Sequence, residues 1–527
     1  MNGTARITVL PQGTTLHVSP GESLFQVLTK AGISLNSYCG GQGICGKCKV
    51  RIINKAPALS EFEHAHLSTE EINEGIRLAC GFYPETDVIV EIPKPALPSG
   101  YKLKIEDLSF PLDPWQEHPS EGLVLAVDLG TTNIVGHLFD PLMGKLIASV
   151  TIANSQSILG ADVMTRLTYC SHHGENAKKT FIKLTLSDIE KLAELTAGKG
   201  RKITDVVVVM NTAMETLMLG LSPDKIGRNP YESDIDGPVH ISPFKNGPLE
   251  GVTIHIPPII GGFVGSDTVS AFLAISVQDQ EPPFIFIDIG TNAEVVVVTK
   301  ETMIACSTAA GPAFEGVGIS CGMRGVEGAI EHVTFDSEAF EISVIGNKSA
   351  IGITGSGLFS LIGELLRAGA LDRFGAVVPE LIPQKLVRPG KSGREMVLSP
   401  DVSVSEDDVQ QFILAKAATR AAVETLLALV NVRADELNAI FFSGIFASRI
   451  DPEDILTIGL LPPIELHKIQ NVGNAAATGA VMMALSKSAF QKACHVAKRV
   501  KHITLSGNQK FKETFQSQVL LGYIESE

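Results

Sequence analysis

Four cysteines constrain this chain more than any other feature in it. Cys39, Cys45 and Cys48 lie in CGGQGICGKC with a C-x5-C-x2-C spacing, and Cys80 closes the set in RLAC after a helical stretch. Four thiolates are soft ligands suited to iron and sulfide, so the set predicts a 2Fe-2S cluster. Gly40, Gly41, Gly43 and Gly46 let the backbone wrap closely around an inorganic core and turn amide N–H groups toward its sulfurs. The competing arrangement, a structural zinc site, pairs cysteines as C-x2-4-C twice, whereas here the fourth cysteine stands alone. The other cysteines, Cys170, Cys306, Cys321 and Cys494, form no C-x2-C pair and are expected to be buried apolar thiols.

The sequence around this cluster alternates short strands, ITVL, TTLHV, KVRII and DVIVEI, with one amphipathic helix, SLFQVLTKAG. From Pro93 to Pro119 six prolines occur, together with the single tryptophan, Trp115, and periodicity stops; this stretch is expected to be a partly extended linker. Beyond Glu121, apolar strands alternate with helical stretches, notably LVLAVDLG, DVVVVMN, FIFIDIG and AIFFSG, which indicates an α/β region. With 44% hydrophobic and 19% charged residues the 527-residue chain builds large cores. Its net charge of −15 opposes broad binding to nucleic acid or to an anionic membrane surface. No apolar run approaches the roughly 20 residues of a membrane span and no secretory signal is seen, so a cytoplasmic protein is expected.

One device occurs twice. LAVDLGTTN and FIDIGTNAE each place Asp-x-Gly-Thr at the end of an apolar strand, with a second apolar strand following. In Asp128-Leu129-Gly130-Thr131-Thr132-Asn133 the glycine permits a tight turn, and the amides and hydroxyls after it can form an anion-binding nest. A carboxylate beside phosphates makes sense only with Mg²⁺ between them, held through water by Asp128. Asp288-Ile289-Gly290-Thr291-Asn292 repeats the arrangement, and Glu294 is placed to orient a water. Gly355-Ser356-Gly357 stands just before a helical stretch, where amides and the helix dipole favour an anion or a nucleotide hydroxyl.

The N-terminal motif resembles the 2Fe-2S ferredoxin family in its C-x5-C-x2-C form. The paired loops resemble the actin-like ATPase superfamily of sugar kinases, acetate kinase and heat-shock chaperones. That second resemblance implies ATP with Mg²⁺ between two ribonuclease-H-like lobes, with 128–133 and 288–292 as the first and second phosphate loops. FFSGIFAS resembles the adenosine loop, although Ser443-Gly444-Ile445 stands where the superfamily usually has a Gly-Gly pair; Gly444 is retained as a contact. Together with NTAMETLMLGLSP, IPPIIGGFVGSD, CSTAAGPAFEGVGISCGMRG and GLLPPIELHKIQNVGNAAATGA, the combination resembles the reductive activators of corrinoid proteins over nearly the whole chain.

The expected fold is therefore multidomain: an α+β ferredoxin-like (β-grasp) N-terminal domain, then an α/β actin-like (ribonuclease-H-like, duplicated) ATPase domain. The boundaries expected are 1–95 for the ferredoxin-like domain, 96–121 for the linker, 122–205 for a first ATPase lobe, 206–488 for the ATPase core and 489–527 for a C-terminal tail. The resemblance implies reduction of Co(II) to Co(I) on a corrinoid protein partner, with an unidentified low-potential electron donor; a homodimer is left open. Ser307 is weighed as a hydroxyl approaching the corrinoid against a plain loop hydroxyl, and Arg324 and Lys416 as partner contacts against solvated charges; the plain hydroxyl and the solvated charges are expected. Two alternatives from the residues stay open, an actin-like small-molecule kinase with a fused redox domain and a simple ferredoxin-type carrier. An activator bridging a 4Fe-4S cluster between subunits would need a different cysteine pattern.

Overall fold

The computed structural model of the chain describes residues 5–523 apart from 11–12, 20, 32, 34–47, 55–58, 61–62, 65–66, 68, 93–109, 117–121, 199–200, 317, 392 and 445–448. Cys39, Cys45, Ile445 and most of the expected linker lie outside the described residues. Two compact units emerge: one formed by 1–96, 131–134 and 152–188, the other by 97–130, 135–151 and 189–527.

In the first unit, β1 (Arg6–Leu10), β2 (Thr14–His17), β3 (Lys49–Ile52), β4 (Ile76–Leu78) and β5 (Val88–Glu91) form a sheet of order β2-β1-β5-β3-β4. The central strand β5 runs parallel to β1 and antiparallel to β3, the mixed arrangement of a β-grasp. Alternation explains the inner face: Ile7 and Val9 of β1, Val50 of β3, and Val88 and Val90 of β5 are buried against Leu24, Phe25 and Leu28 of the helix Leu24–Lys30.

The remaining strands build two six-stranded sheets and two small ones. They are β6 (Leu123–Leu129), β7 (Asn133–Asp140), β8 (Lys145–Ala153), β9 (Ile203–Val209), β10 (Val239–Ile241), β11 (Thr253–Ile256), β12 (Phe284–Ile289), β13 (Ala293–Val298), β14 (Met303–Thr308), β15 (Ala329–Phe335), β16 (Phe340–Val344), β17 (Gly352–Ile353), β18 (Val387–Pro389), β19 (Arg394–Ser399), β20 (Val402–Ser405), β21 (Ala439–Ser443), β22 (Ile469–Gly473) and β23 (Val500–His502). One large sheet has the order β10-β11-β9-β6-β7-β8 and the other β22-β21-β12-β13-β14-β23. Reading each from its third meander strand gives β8-β7-β6-β9-β11 and β14-β13-β12-β21-β22, the same sequence of three consecutive strands followed by two crossover strands. In both, the crossover strands run parallel, β6 with β9 and β9 with β11, β12 with β21 and β21 with β22. The duplication expected from the repeated loops is therefore present in the topology.

FIFIDI is apolar at nearly every position because β12 is covered on both faces. Ile285, Ile287 and Ile289 enter a core with Phe359 and Phe412, on the helices Gly355–Arg367 and Glu406–Leu429. Phe284 and Phe286 enter another with Phe272 of the helix Ser266–Ala274 and Ala475.

Several expectations need correction. The boundary at 205/206 falls inside β9, since 205 belongs to the strand that pairs with β6. The described end of the linker is not a free spacer. Trp115 stacks on His255 with centroids 3.7 Å apart and donates its indole N–H to Met483 O at 2.9 Å, while Asp113 bridges to Ser486. The C-terminal stretch is likewise structural: 488/489 falls inside the helix Lys487–Ala497, β23 extends the second sheet beside β14, and the helix Gln509–Ser517 packs on Glu406–Leu429. Lys416 is fully buried rather than solvated, because its Nζ donates to Leu520 O at 2.7 Å and so pins that C-terminal stretch. Arg324 is half-buried, with Nε unbonded among the described residues. Cys170 and Cys306 are buried thiols, but Cys321 and Cys494 are only partly covered. Among the described residues no helix is long and apolar enough to cross a membrane.

Candidate functional site

The half of the cysteine set that the structure describes, Cys48 and Cys80, is built by one strand pair. Cys48 stands just before β3 and Cys80 just after β4, and these strands are antiparallel with Lys49 opposite Leu78. The register brings the two cysteines together at one end of the pair. Ala79 N–H donates to Cys48 O at 2.9 Å, and Cys80 N–H points at Cys48 Sγ at 3.4 Å. Both side chains are buried, 1% and 7% exposed. An amide aimed at a ligating sulfur in an apolar setting fits an iron–sulfur centre.

The second site gathers carboxylates. Asp288 on β12 sits directly opposite Glu294 on β13, Glu294 opposite Ser307 on β14, and Asp288 beside Ser443 on β21. Directly paired residues share a face with Cβ atoms about 5 Å apart, so these four side chains form a row across the second sheet. Ser307 donates its hydroxyl to Glu294 Oε1 at 2.9 Å. From the first sheet comes Asp128, at the end of β6, whose Oδ2 accepts from Asn474 Nδ2 at 2.8 Å. Asp267, in the first turn of the helix Ser266–Ala274, completes the group.

These carboxylates perturb one another. Burial raises Asp128 to about 6, against the Asn474 hydrogen bond. Burial, with the charge of Asp128, raises Asp288 to about 7. Burial and the charges of Asp288 and Asp128 raise Asp267 to about 7, and burial with Asp267 and Asp288 pushes Glu294 well above the usual carboxylate range. All four are recessed rather than sealed, since part of each stays accessible. Like charges directly opposite on a sheet are unfavourable, and a cluster of recessed acids is relieved by a cation. Among the described residues no three His, Cys, Asp or Glu side chains converge as direct ligands. A hard ion held largely through water and phosphate oxygens, as Mg²⁺ is, fits such spacing.

The loops differ in their support. In the second, Gly290 N–H donates to Asn292 O at 2.9 Å and Thr291 Oγ1 donates to Glu315 Oε1 at 3.0 Å, which closes the turn. In the first, Gly130, Thr131 and Thr132 link β6 to Asn133, where β7 begins, and the carbonyls of Thr131 and Thr132 accept hydrogen bonds from a later segment of chain. Gly355, Ser356 and Gly357 are the first turn of a helix rather than a loop before it, because Thr354 takes the N-cap and accepts from Gly357 N–H at 3.1 Å. That amide is occupied, and all three residues are buried. Gly444 has φ +136 and donates its N–H to Gly473 O at 3.1 Å.

Sequence reasoning assigned no role to Asp267, Asn474 or Glu315. Their signals were visible in GGFVGSD, GNAAATG and AGPAFEG, stretches rich in small residues that let backbone and side chain approach a ligand.

Comparison with known proteins covers the chain from end to end. Residues 283–526 match the family described as the C-terminal domain of RACo, the ASKHA domain, residues 123–280 the RACo middle region, and residues 7–85 the 2Fe-2S iron-sulfur cluster binding domain. The corrinoid activation enzyme RamQ of Eubacterium limosum is 28% identical over 96% of this chain and 97% of its own length. A [Co(II) methylated amine-specific corrinoid protein] reductase of Methanosarcina barkeri is 26% identical over 74% of this chain and 75% of its own. A solved structure titled reductive activator for corrinoid, iron-sulfur protein is 28% identical and covers 98% of both chains with a TM-score of 0.71.

Proposed function

The chain belongs to the family of reductive activators of corrinoid proteins, and on that premise we propose that it uses ATP to drive one electron onto the cobalt of a corrinoid protein, Co(II) to Co(I), the nucleophile for methyl transfer. The observation that carries this reading is the occurrence, in one chain, of a cysteine-bearing β-grasp domain and twin sheets whose equivalent first strands, β6 and β12, both end in Asp-x-Gly-Thr.

Cys39, Cys45, Cys48 and Cys80 would hold a 2Fe-2S cluster, which supplies one-electron transfer when bound. Even the low-potential plant-type 2Fe-2S centres lie at about −400 mV, and Co(I) is formed at lower potential still, so the transfer runs uphill. Each step of about 59 mV costs tenfold for one electron. ATP hydrolysis offsets that by favouring a state of the protein in which the transfer is completed.

The chain's own residues have separable tasks. Asp128 and Asp288, on equivalent strands, would hold Mg²⁺ through water, with Asp267 as a third carboxylate turned to the same group. The amides and hydroxyls of 130–133 and 290–292 would bind phosphate oxygens. Glu294, its proton affinity raised by burial and its acidic neighbours, would accept a proton from the attacking water while Ser307 fixes its orientation. Gly444 would line the nucleotide, while Gly355, Ser356 and Gly357 are covered and would fix the start of their helix. The electron donor is a low-potential carrier.

The test combines the holoprotein, a chemical reductant and an oxidised corrinoid protein, with and without Mg·ATP, followed by cobalt absorption. The expected result is Co(I) only with ATP. Phosphorylation of a small molecule without Co(I) would favour the kinase alternative, and equal cobalt reduction without ATP would favour the carrier.

A further inference from the structure

The same compact unit contains the cluster-bearing domain, the tip of the first phosphate loop and the stretch 152–188. The stretch makes both connections. Arg166, fully buried, donates from Nη2 to Thr131 O at 2.6 Å and from Nε to Gly160 O at 2.9 Å. Asn154 N–H donates to Thr132 O at 3.0 Å. Two successive carbonyls of the loop are thus held by residues twelve positions apart. Between those residues, Ile158 is 7% exposed and belongs to the apolar core that contains Cys48, Cys80, Val50 and Leu78, with Leu159 and Leu184 packed against it.

The stretch is braced as a solid piece. Ser155 donates from N and Oγ to the two carboxylate oxygens of Asp188 at 2.9 and 2.6 Å, and Gln156 donates from Nε2 to Thr185 Oγ1 at 2.5 Å. Asp162 accepts from Thr165 N and Oγ1, each at 2.8 Å. Gly160 is required for the fit: a Cβ there would lie 2.8 Å from Arg166 N. Burial brings the Arg166 guanidinium down to about 9 while Asp162 and Asp188 hold it up, so it is a cation at neutral pH.

We propose that Arg166 is the positioning residue of the first phosphate loop, and that residues 154–166 form a strap that carries the loop's nucleotide state into the core of the cluster-bearing domain. This rests on the reading of 128–133 as a phosphate loop. A guanidinium spanning two carbonyls fixes direction as well as distance, which an ammonium does not. A packed core responds to a shift of Ile158 as a unit, so a displacement at Thr131 and Thr132 is felt at β3 and β4, the strands that present Cys48 and Cys80. Coupling of this kind is reciprocal, and a change at the cluster-bearing domain alters nucleotide affinity by the same factor.

The experiment is amide hydrogen exchange on the intact holoprotein with and without Mg·AMPPNP. Slowing is expected at 128–133, at 154–166 and in β3 and β4. Slowing at 128–133 alone overturns the strap, and no slowing anywhere removes the phosphate-loop reading and the strap with it. Arg166→Lys should lower kcat/KM for ATP by about 10²-fold in a protein that keeps the parent's cluster spectrum. Parent kinetics in the folded variant would make Arg166 merely structural and overturn its positioning role. Ile158→Ala should keep basal ATP turnover and the slowing at 128–133 yet lose it in β3 and β4. Retention there contradicts the strap, and this arm decides even if Arg166→Lys does not fold.

Discussion

The two phosphate loops occupy equivalent places in twin sheets but are braced in different ways. The second is held from within its own half: Glu315, a few residues past β14, accepts from Thr291, and Gly290 and Asn292 close on each other. The first is held at Thr131 and Thr132 by a stretch that also enters the core around Cys48 and Cys80. On the proposed reading, duplication supplies a paired nucleotide site, and the difference in bracing ties one side of it to the cysteine-bearing domain. The first half also buries Glu215, fully covered, with both oxygens unbonded among the described residues.

The largest effect expected is all-or-none. Cys48→Ala should abolish the cluster, read by iron content and EPR of the reduced protein, and with it all cobalt reduction, while basal ATP hydrolysis persists; a retained 2Fe-2S signal would contradict the assignment. Next, Asp288→Ala should lower ATP turnover by about 10³-fold with the cluster intact, the scale of losing an electrostatic contact made in the transition state. A smaller loss, about tenfold in kcat/KM, is expected for Glu315→Ala, which removes one hydrogen bond to Thr291. Nucleotide should still slow exchange at 154–166 in that variant. If Glu315→Ala erases that response, the two loops are not separately braced.

The last expected effect is on stability rather than on turnover. Burial and the charge of Asp267 raise Glu215 to about 8. A carboxyl whose folded pKa is raised favours folding of its protonated form. The penalty is absent below its unfolded value, grows as pH rises and is complete above the folded value. Glu215→Gln lacks this titration. The stability of the variant relative to the parent should therefore climb by about 1.4 kcal/mol per pH unit between about 4.5 and 8, and then level off. A difference independent of pH, in denaturant melts, would show that Glu215 does not titrate in the folded protein in this way.

Much of this fold was legible because its strands are unusual in sequence. FIFIDI and DVVVV, short runs of β-branched and aromatic residues, read as strands covered on both faces, and Gly290, two residues past Asp288, reads as a turn, so the duplication followed from two nine-residue stretches. The strand pair that presents Cys48 and Cys80 was half visible: β3 alternates, but β4 is three residues long and uniformly buried, and carries no period. Contacts between residues far apart in sequence left no local signal. Lys416 looked solvated because nothing nearby in sequence reveals that Leu520 O accepts its hydrogen bond. Arg166 lies in an otherwise ordinary helix, and its partner Thr131 is thirty-five positions away. Asp267 and Asn474 stood in glycine-rich stretches, but only the packing of helix against strand turns them toward Asp128 and Asp288.

The most direct test of the whole account measures ATP consumption and cobalt reduction side by side in the parent and in Asp128→Ala, with the cluster of each fully reduced beforehand by a chemical reductant. The account predicts that both proteins accept the electron with the same cluster spectrum. Only the parent consumes ATP and produces Co(I), and its ATP consumption rises when the corrinoid protein is added. If Asp128→Ala reduces Co(II) as fast as the parent, ATP does not drive the electron and the account is wrong.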